Sequence, residues 1–504
     1  MKRVNIDPVT RVEGHLSIEV EIEGNLIRSA RSSGTLFRGL EEMLNGRDPR
    51  DASRITQRVC GVCPAAHAVA SALALDDAFD IRSQIPLNGR ILRNLMLGGN
   101  FIQSHILHFY HLSALDYIDP KLLEDKAKDN TQLGSLQNYL DTTDGAPFLP
   151  QYSGDYRLGE ELTSAFLQDY LDALEIRKKA HELISIFGGK MPHNMGTVVG
   201  GATNPPDLNM ITKFRSRLDE IREFIDNRYL PGVIELGQAY SDYFDIGHGV
   251  DSFVGYGGFY LDNIEDEPQV TKKGLCGGVT SLGNKSVDEI DLEKITEYVT
   301  HSWYSDRSTG HPRSAKTVPA VDKEGGYSWV KAPRYDDRPQ EVGPTARMMV
   351  NYSKANERLK PTLEKALEST GTNVNNLPSV AGRHLARATE CKVVADLMSD
   401  WVNQLEPSVP TCAQFDVPEE GLGVGLTCAP RGALGHWIRL QEGEIQNYQL
   451  VVPTTWNASP RDEEGIPGPI EQALIGTRIE DSNNPIEAAR IVRSFDPCMA
   501  CAVH

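Results

Sequence analysis

Residues 496–504, DPCMACAVH, place Cys498 and Cys501 two residues apart at the end of a 504-residue chain. Chain ends usually fray, so a cysteine pair at this position needs an anchor elsewhere in the molecule. The sequence has a matching pair near its start, Cys60 and Cys63 in CGVCPAAH, and a histidine follows each pair. If the two pairs meet, the fold must bring its two ends together in the interior.

The two-residue spacing lets both sulfurs of a pair face one point, which is why metal sites and redox disulfides use it. The pairs lie 438 positions apart, from 60 to 498, whereas zinc ribbons space theirs by about 15–20 residues. Three interpretations stay open from the residues alone: one four-thiolate site, redox disulfides, or unrelated structural cysteines. Four thiolates hold zinc or iron–sulfur more often than rarer metals, and the spacing does not select the metal.

The composition excludes several classes of protein. A net charge of −19 argues against nucleic acid and anionic membrane surfaces as partners. No run of 18 apolar residues is present, so we expect no membrane span. The N-terminus lacks the apolar region of a signal peptide, so we expect another chain to direct any export. The remaining cysteines are predicted to be buried small hydrophobes: Cys276, Cys391, Cys412 and Cys428.

Two periodicities predict the secondary structure. Residues 16–22, LSIEVEI, alternate apolar and polar side chains and predict a strand. A Gly-Asn turn follows, so we expect an N-terminal hairpin over about residues 1–35. Apolar spacing of three and four predicts long helices at 87–115, 157–187, 208–241 and 381–405. Residues 188–210 and 305–345 are rich in Gly, Pro and charge and are predicted to be long loops.

These patterns predict a mainly α fold with peripheral β hairpins, an α+β class, in one domain spanning 1–504. We expect a helical core over roughly 50–405 and a C-terminal metal-binding segment over roughly 420–504. Glycine-rich GYGG at 255–258 and GLGVG at 421–425 lack the spacing of a dinucleotide motif, and no Walker A motif is present. We therefore expect no nucleotide site.

RVCGVCPAAH and DPCMACAVH together resemble the two signature motifs of nickel–iron hydrogenase large subunits. Further stretches support the resemblance in the order of that family: RVEGH, SGTLFRGLE, GRDPRDA, KMPH, GRHLAR, APRGALGHW and VVPTTWN. NGRILRNLMLGGNFIQSHILHFYHL at 88–112 is most similar to the nickel–iron–selenium branch. That branch has selenocysteine where this sequence has Cys498, and Ser104 stands where many nickel–iron enzymes have an aspartate.

The resemblance implies a metal centre with named ligands. Cys60 and Cys498 are implied to bind nickel terminally, while Cys63 and Cys501 bridge it to an iron that carries carbon monoxide and cyanide. A second site for magnesium, or for iron because one ligand is a histidine, is implied by motif position at Glu41, the Leu450 carbonyl and His504. An end at His504 implies the mature form, since the family's large subunits lose a C-terminal peptide.

Other residues are implied to surround the centre. Glu13 in RVEGH matches a proton-relay carboxylate, and Cys498 is the expected first base. Arg431 is expected over the iron's diatomic ligands, where a guanidinium can donate to a cyanide nitrogen, with Asp496 as a possible partner. His67 follows Cys63 by one helical turn and is expected to hydrogen-bond that bridging sulfur. The cyanide environment is expected to include Pro430, Pro453 and Thr454.

The implied function is reversible heterolytic oxidation of H₂ by the catalytic subunit of a hydrogenase. No cysteine remains in a cluster-binding pattern, so an iron–sulfur small subunit is expected to form a heterodimer with this chain and carry the electrons. A periplasmic location, with export on the small subunit, is expected. Alternatives are a cytoplasmic coenzyme-linked hydrogenase, a hydrogen sensor, or a metal-free relative like the homologous respiratory complex I subunit, against which the four cysteines argue.

Overall fold

The computed structural model describes residues 1–504 except 120–121, 124–127, 129, 144–151, 262–271 and 285. It is 46% helical and 18% strand, so the predicted mainly helical α+β class is confirmed. The described α-helices are Leu40–Leu44, Ala52–Thr56, Pro64–Ala78, Leu87–Ile106, Thr131–Thr142, Glu160–Gly188, Leu208–Phe224, Leu230–Ala239, Pro344–Ser353, Leu359–Thr370, Val380–Val402, Pro453–Asn457, Pro469–Leu474, Ile486–Ser494 and Met499–Ala502. The strands are Lys2–Ile6, Leu16–Glu23, Leu26–Gly34, Thr197–Val198, Gly201–Ala202, Ser252–Gly255, Gly258–Tyr260, Lys273–Leu275, Gly278–Ser281, Ile295–Tyr298, Ala332–Tyr335, Gly421–Ala429, Gly432–Gln441 and Glu444–Val451.

The long helices lie where the apolar periodicity predicts them, but two of them change geometry along their length. The first passes from α-helix into a π-helical segment at Leu107–Ser113. In the third, a π-helical segment at Ile225–Tyr229 precedes Pro231. Proline lacks an N–H and its ring clashes with the carbonyl four residues earlier, so a wider turn accommodates it. Periodicity does not report such local changes of hydrogen bonding.

The predicted N-terminal hairpin is confirmed and has a third strand. Leu16–Glu23 pairs with Leu26–Gly34 on one side and with Lys2–Ile6 on the other, all antiparallel. Burial alternates along the central strand, with Leu16, Ile18, Val20 and Ile22 facing the core. This alternation fixes the register, because a shift of one residue would turn the apolar set outward.

A second three-stranded sheet, which the sequence analysis does not predict, lies deep in the molecule. Gly421–Ala429, Gly432–Gln441 and Glu444–Val451 form an antiparallel meander packed on the Pro64–Ala78 helix. Added Cβ atoms at Gly423 and Gly425 would lie 2.0 and 1.9 Å from helix carbonyl oxygens. The glycines of GLGVG therefore serve close packing of a strand on a helix.

Short β pairs and loops interrupt the predicted helical core. Three two-stranded pairs occupy the described part of residues 252–335. They are too short for a period-two pattern to stand out in the sequence. The predicted loops at 188–210 and 305–345 are largely irregular, with only short strands and one 3₁₀ turn before the flanking helices.

The two chain ends meet in the core. Glu13 forms a parallel bridge with Cys498, in which the Met499 N–H donates to the Glu13 carbonyl at 2.8 Å. Gly14 has a φ of +80°, and a Cβ there would lie 2.9 Å from the Ala500 nitrogen, so only glycine fits. The C-terminus is thus anchored along the N-terminal segment. No helix in the described part of the chain is long and apolar enough to cross a membrane.

Candidate metal centre

The four cysteine sulfurs of the two pairs converge on one point in the core. Their Sγ atoms all lie within 4.8 Å of one another. Cys60 lies 3.3 Å from Cys498, and Cys63 lies 3.3 Å from Cys501. All four thiols are free and at most 3% exposed, so the arrangement is a four-thiol cluster and the disulfide interpretation is wrong.

Local structure positions the first pair. Cys63 is the N-cap of the Pro64–Ala78 helix, and Pro64 suits the first helical position because its missing N–H would have no partner there. The backbone N–H groups of Val62 and Cys63 point at the Cys60 sulfur, at 3.2 and 3.4 Å. Such N–H···S contacts favour a thiolate at Cys60.

The pKa values of the cluster thiols are shifted in different directions. Hydrogen bonds from the other cysteines, Cys498 first, lower the pKa of Cys60. Burial raises the pKa of Cys498 and of Cys501. Four buried sulfurs with few other polar partners are a poor hydrophobic core but a suitable donor set for a soft or borderline metal.

Glu13 contacts both the cluster and the backbone beside it. Its Oε2 lies 3.1 Å from the Cys498 sulfur and accepts the Ala500 N–H at 2.9 Å. Burial raises the pKa of this carboxyl group, with the Cys60 charge adding to the effect. The half-buried Glu13 therefore lies between the sulfurs and the outside of the chain, which suits proton transfer.

Arg431 is held at the tip of a tight turn. Pro430 and Arg431 are the two residues between the paired ends Ala429 and Gly432. The Arg431 Nη2 donates to Asp496 Oδ1 at 2.8 Å and its Nη1 donates to Ser104 Oγ at 3.2 Å. Asp496 is therefore bound to Arg431, as expected. Ser104, which stands where many nickel–iron enzymes have an aspartate, is also a hydrogen-bond partner of Arg431.

His67 reaches the cluster, but at a different sulfur from the one expected. Its Nε2 lies 3.5 Å from Cys501, whereas the one-turn spacing pointed to Cys63. The helix starts only at Pro64, so Cys63 does not have the helical geometry that the spacing assumes. Burial lowers the pKa of His67 to about 4, so the ring is neutral near pH 7.

Thr454 contacts the C-terminal segment that carries Cys498 and Cys501. Its Oγ1 accepts the Cys498 N–H at 3.0 Å. Pro453 begins the short helix that presents this side chain. The Pro430 carbonyl is bonded to Arg347 Nη2 at 2.8 Å. Thr454 and the helix that Pro453 begins therefore lie beside Cys498, and Pro430 lies in the turn that carries Arg431.

Comparison with known proteins gives the family of this chain. The sequence model described as nickel-dependent hydrogenase matches residues 38–504. The chain belongs to the nickel-dependent hydrogenase family. It is 42% identical to the periplasmic [NiFeSe] hydrogenase large subunit of Desulfomicrobium baculatum, over 100% of this chain and 95% of that protein. It is 33% identical to the hydrogenase-2 large chain of Escherichia coli K12, covering 100% and 97%.

Solved hydrogenase structures match the fold as well as the sequence. The reduced Ni-Fe-Se hydrogenase from Desulfovibrio vulgaris Hildenborough gives a TM-score of 0.90 at 42% identity and covers 100% of both chains. The chain is thus the catalytic large subunit of a nickel-dependent hydrogenase, and its four-cysteine cluster fits a metal site. The buried donor set suits such a site, because thiolates are the ligands that soft and borderline metals prefer.

The hydrogenase cluster has supporting residues that the sequence analysis missed. Arg38 donates to the carbonyls of Val59 and Ala500, so one guanidinium joins the segments that carry both cysteine pairs. His67 Nδ1 lies 3.2 Å from His436, whose Nδ1 lies 2.8 Å from the Tyr448 hydroxyl. These residues lie within or beside motifs quoted above, but their partners are set only by tertiary contacts.

The second predicted site of this hydrogenase is a buried polar cluster. Glu41 Oε1 lies 3.2 Å from His504 Nε2 and accepts the Leu450 N–H at 2.8 Å. Glu41 Oε2 lies 3.2 Å from the Lys331 ammonium. Burial alone would raise the pKa of Glu41, but Lys331 and His504 lower it to about 2. Among the described residues, only the four cysteines bring three or more His, Cys, Asp or Glu ligand atoms together.

The four cysteines outside the cluster are not all buried. Cys391 and Cys428 lie in the core, as predicted. Cys276 and Cys412 are only partly buried, so the prediction is wrong for these two. Cys276 lies between two short strands, and Cys412 forms an isolated β-bridge with Gly201. Neither segment is long enough for periodicity to predict burial.

Proposed function

We propose that this subunit oxidises H₂ reversibly to two protons and two electrons, with heterolytic cleavage assisted by Cys498 and Glu13. A nickel–iron centre held by Cys60, Cys63, Cys498 and Cys501 supplies Lewis acidity and redox capacity when bound, and its iron carries carbon monoxide and cyanide. The chain supplies the thiolate ligands, the base, the proton exit and the charge around the diatomic ligands. The contact between Glu13 Oε2 and the Cys498 sulfur, at 3.1 Å, carries the proposal.

The proton path starts at the Cys498 sulfur, which accepts a proton released from H₂. The sulfur passes the proton to Glu13, within hydrogen-bond reach for general acid–base transfer. A carboxyl group whose pKa is raised by burial holds a proton more readily near neutral pH than an exposed one. Glu13 then releases the proton toward the side of the chain on which its neighbours Gly14 and His15 are exposed.

The electrons leave to an iron–sulfur small subunit, which completes a heterodimer. Hydrogenases described as large subunits, such as those of Desulfomicrobium baculatum and Rhizobium leguminosarum, support this partner. We assign the complex to the periplasm because the Desulfomicrobium relative is described as periplasmic. Glu41, the Leu450 carbonyl and His504 would hold a second metal ion, Mg²⁺ or Fe²⁺, for which the buried carboxylate would provide an oxygen ligand.

The direct test is isotope exchange by the purified heterodimer. Incubated with D₂ in H₂O, the complex should form HD and H₂, because D₂ cleavage releases a deuteron that exchanges with water. Hydrogen uptake with an artificial electron acceptor should accompany the exchange. A complex that contains nickel and iron but produces no HD would contradict the proposed function.

Replacing Arg431 with lysine should keep the metals and cut turnover by roughly a hundredfold or more, the scale for loss of one preorganised charged donor. Lysine offers a point charge on a flexible stem in place of a fixed planar fork. It cannot reproduce the simultaneous contacts to Asp496 and Ser104. H₂ oxidation at the wild-type rate by a metal-replete Arg431→Lys complex would show that Arg431 has no role in catalysis.

A further inference from the structure

The backbone of the Pro430–Arg431 turn is bound by a second buried arginine. Arg347 Nη1 donates to the Ala429 carbonyl at 2.9 Å, and its Nη2 donates to the Pro430 carbonyl at 2.8 Å. These are the two peptide groups immediately before Arg431. A guanidinium bound to consecutive carbonyls fixes both the position and the orientation of the turn, because its donors lie in one rigid plane.

Arg347 is itself held by two further buried residues. Its Nε and Nη2 form a bidentate pair with Glu390. The same carboxylate contacts His105, with Glu390 Oε2 2.8 Å from the His105 Nε2. All three side chains have no exposed surface. Buried charges need a partner and good geometry, and the three residues satisfy both conditions as a set.

The same set approaches Arg431 from its side-chain end. His105 follows Ser104 in the Leu87–Ile106 helix, and Ser104 accepts the Arg431 Nη1 donor at 3.2 Å. The helix that carries Arg347 begins directly after Gly343, where an added Cβ would lie 3.1 Å from the Arg431 carbonyl. The main chain and the guanidinium of Arg431 are therefore fixed by neighbouring parts of one network.

We propose that Arg347, supported by Glu390 and His105, is a positioning residue that sets where the Arg431 guanidinium lies over the metal centre. The proposal rests on the function proposed for Arg431. Among the described residues, the hydrogen bonds of Arg347 reach Glu390, the turn carbonyls and Cys428, which lies outside the four-cysteine cluster. Arg347 therefore acts on the centre through the turn. A displacement of about 1 Å in a catalytic group can cost roughly a hundredfold in rate, so a loosened turn has a measurable effect.

The chain contains a matched control in another buried arginine. Arg334 has no exposed side-chain surface, and its Nε donates to Asp462 at 2.8 Å. Like Arg347, it binds backbone carbonyls of a loop, here Pro460 and Ile466. It has no contact with the Arg431 turn among its hydrogen bonds. Arg334→Lys therefore measures what the loss of a buried arginine costs in stability alone.

The test compares the Arg347→Lys and Arg334→Lys heterodimers in metal content, Tm, turnover and the infrared bands of the iron's carbon monoxide and cyanide. We expect both variants to keep nickel and iron and to lose Tm to a similar extent. Arg347→Lys should lose turnover by roughly ten- to a hundredfold and displace the cyanide bands. Arg334→Lys should keep wild-type bands and turnover. If Arg347→Lys does not accumulate, Glu390→Gln is measured against the same control, with the same expected displacement.

Two results would overturn the inference. One is wild-type bands and turnover in a metal-replete Arg347→Lys complex. The other is equal loss of turnover in Arg334→Lys, which would make the effect one of stability. The Arg431→Lys complex separates this inference from the function proposed for Arg431. An inactive Arg431→Lys complex together with a normal Arg347→Lys complex would contradict only the positioning role of Arg347. A fully active Arg431→Lys complex would contradict both that role and the function proposed for Arg431.

Discussion

Replacing Cys63 with serine should leave the purified complex without a functional nickel–iron centre and without H₂ oxidation. Cys63 lies 3.3 Å from Cys501 within the four-sulfur cluster, and it is one of the four cysteines that would hold the nickel–iron centre. Cysteine binds a metal as the thiolate, and a thiol ionises far more readily than a serine hydroxyl near neutral pH. Nickel and iron content, measured on the purified heterodimer, should fall together with activity.

Cys391 provides the control for this substitution. It is fully buried in the Val380–Val402 helix and lies outside the cluster. Cys391→Ser buries the same new hydroxyl group, which costs about 1–3 kcal/mol of stability, and should retain metals and activity. If Cys63→Ser also lost only stability and kept its metals, Cys63 would be a structural cysteine.

Replacing Glu13 with glutamine should leave the metals in place and stop proton exchange with water. Glutamine keeps the size and an acceptor oxygen for the Ala500 N–H, but it cannot take up a proton and pass it on. Nickel and iron content, and the infrared bands of the iron's ligands, should stay close to those of the wild type. H₂ oxidation and H/D exchange with solvent should fall by roughly a hundredfold or more, the scale of general acid–base catalysis.

Para/ortho-hydrogen conversion should persist in Glu13→Gln, because cleavage and recombination can occur without release of the proton. Glu471 is the control. It is a buried glutamate whose pKa is raised by burial to about 7, and it accepts from the Ser32 N–H and the Tyr327 hydroxyl. Glu471→Gln should exchange deuterium normally. Solvent exchange at the wild-type rate in Glu13→Gln would mean that the proton leaves by another route.

The sequence predicted the main elements because each has a local signature. The strand at Leu16–Glu23 alternates in burial, and the helices at Leu87–Ile106 and Leu208–Phe224 have apolar residues on the helical period. The central sheet at 421–451 was missed because its strands are buried on both faces or depend on glycines for contact with a helix. A strand buried on both faces shows no alternation.

The residues of the candidate centre could be predicted where the cysteine spacing or the family resemblance points to a particular side chain. The four cysteines, Glu13 and Arg431 were found this way. The supporting arginines were not found, since Arg38 and Arg347 act on backbone carbonyls that only the fold brings to them. His67 was predicted with the wrong sulfur because a spacing of four residues implies contact only when both residues are helical.

The measurement that tests the central claim most directly is elemental analysis of the purified heterodimer, combined with its infrared spectrum. If Cys60, Cys63, Cys498 and Cys501 hold a nickel–iron centre, the wild-type complex should contain nickel and should show carbon monoxide and cyanide bands. The Cys63→Ser complex should lack both, while the Cys391→Ser complex retains them. Zinc in place of nickel, with no such bands in an intact wild-type complex, would contradict the account.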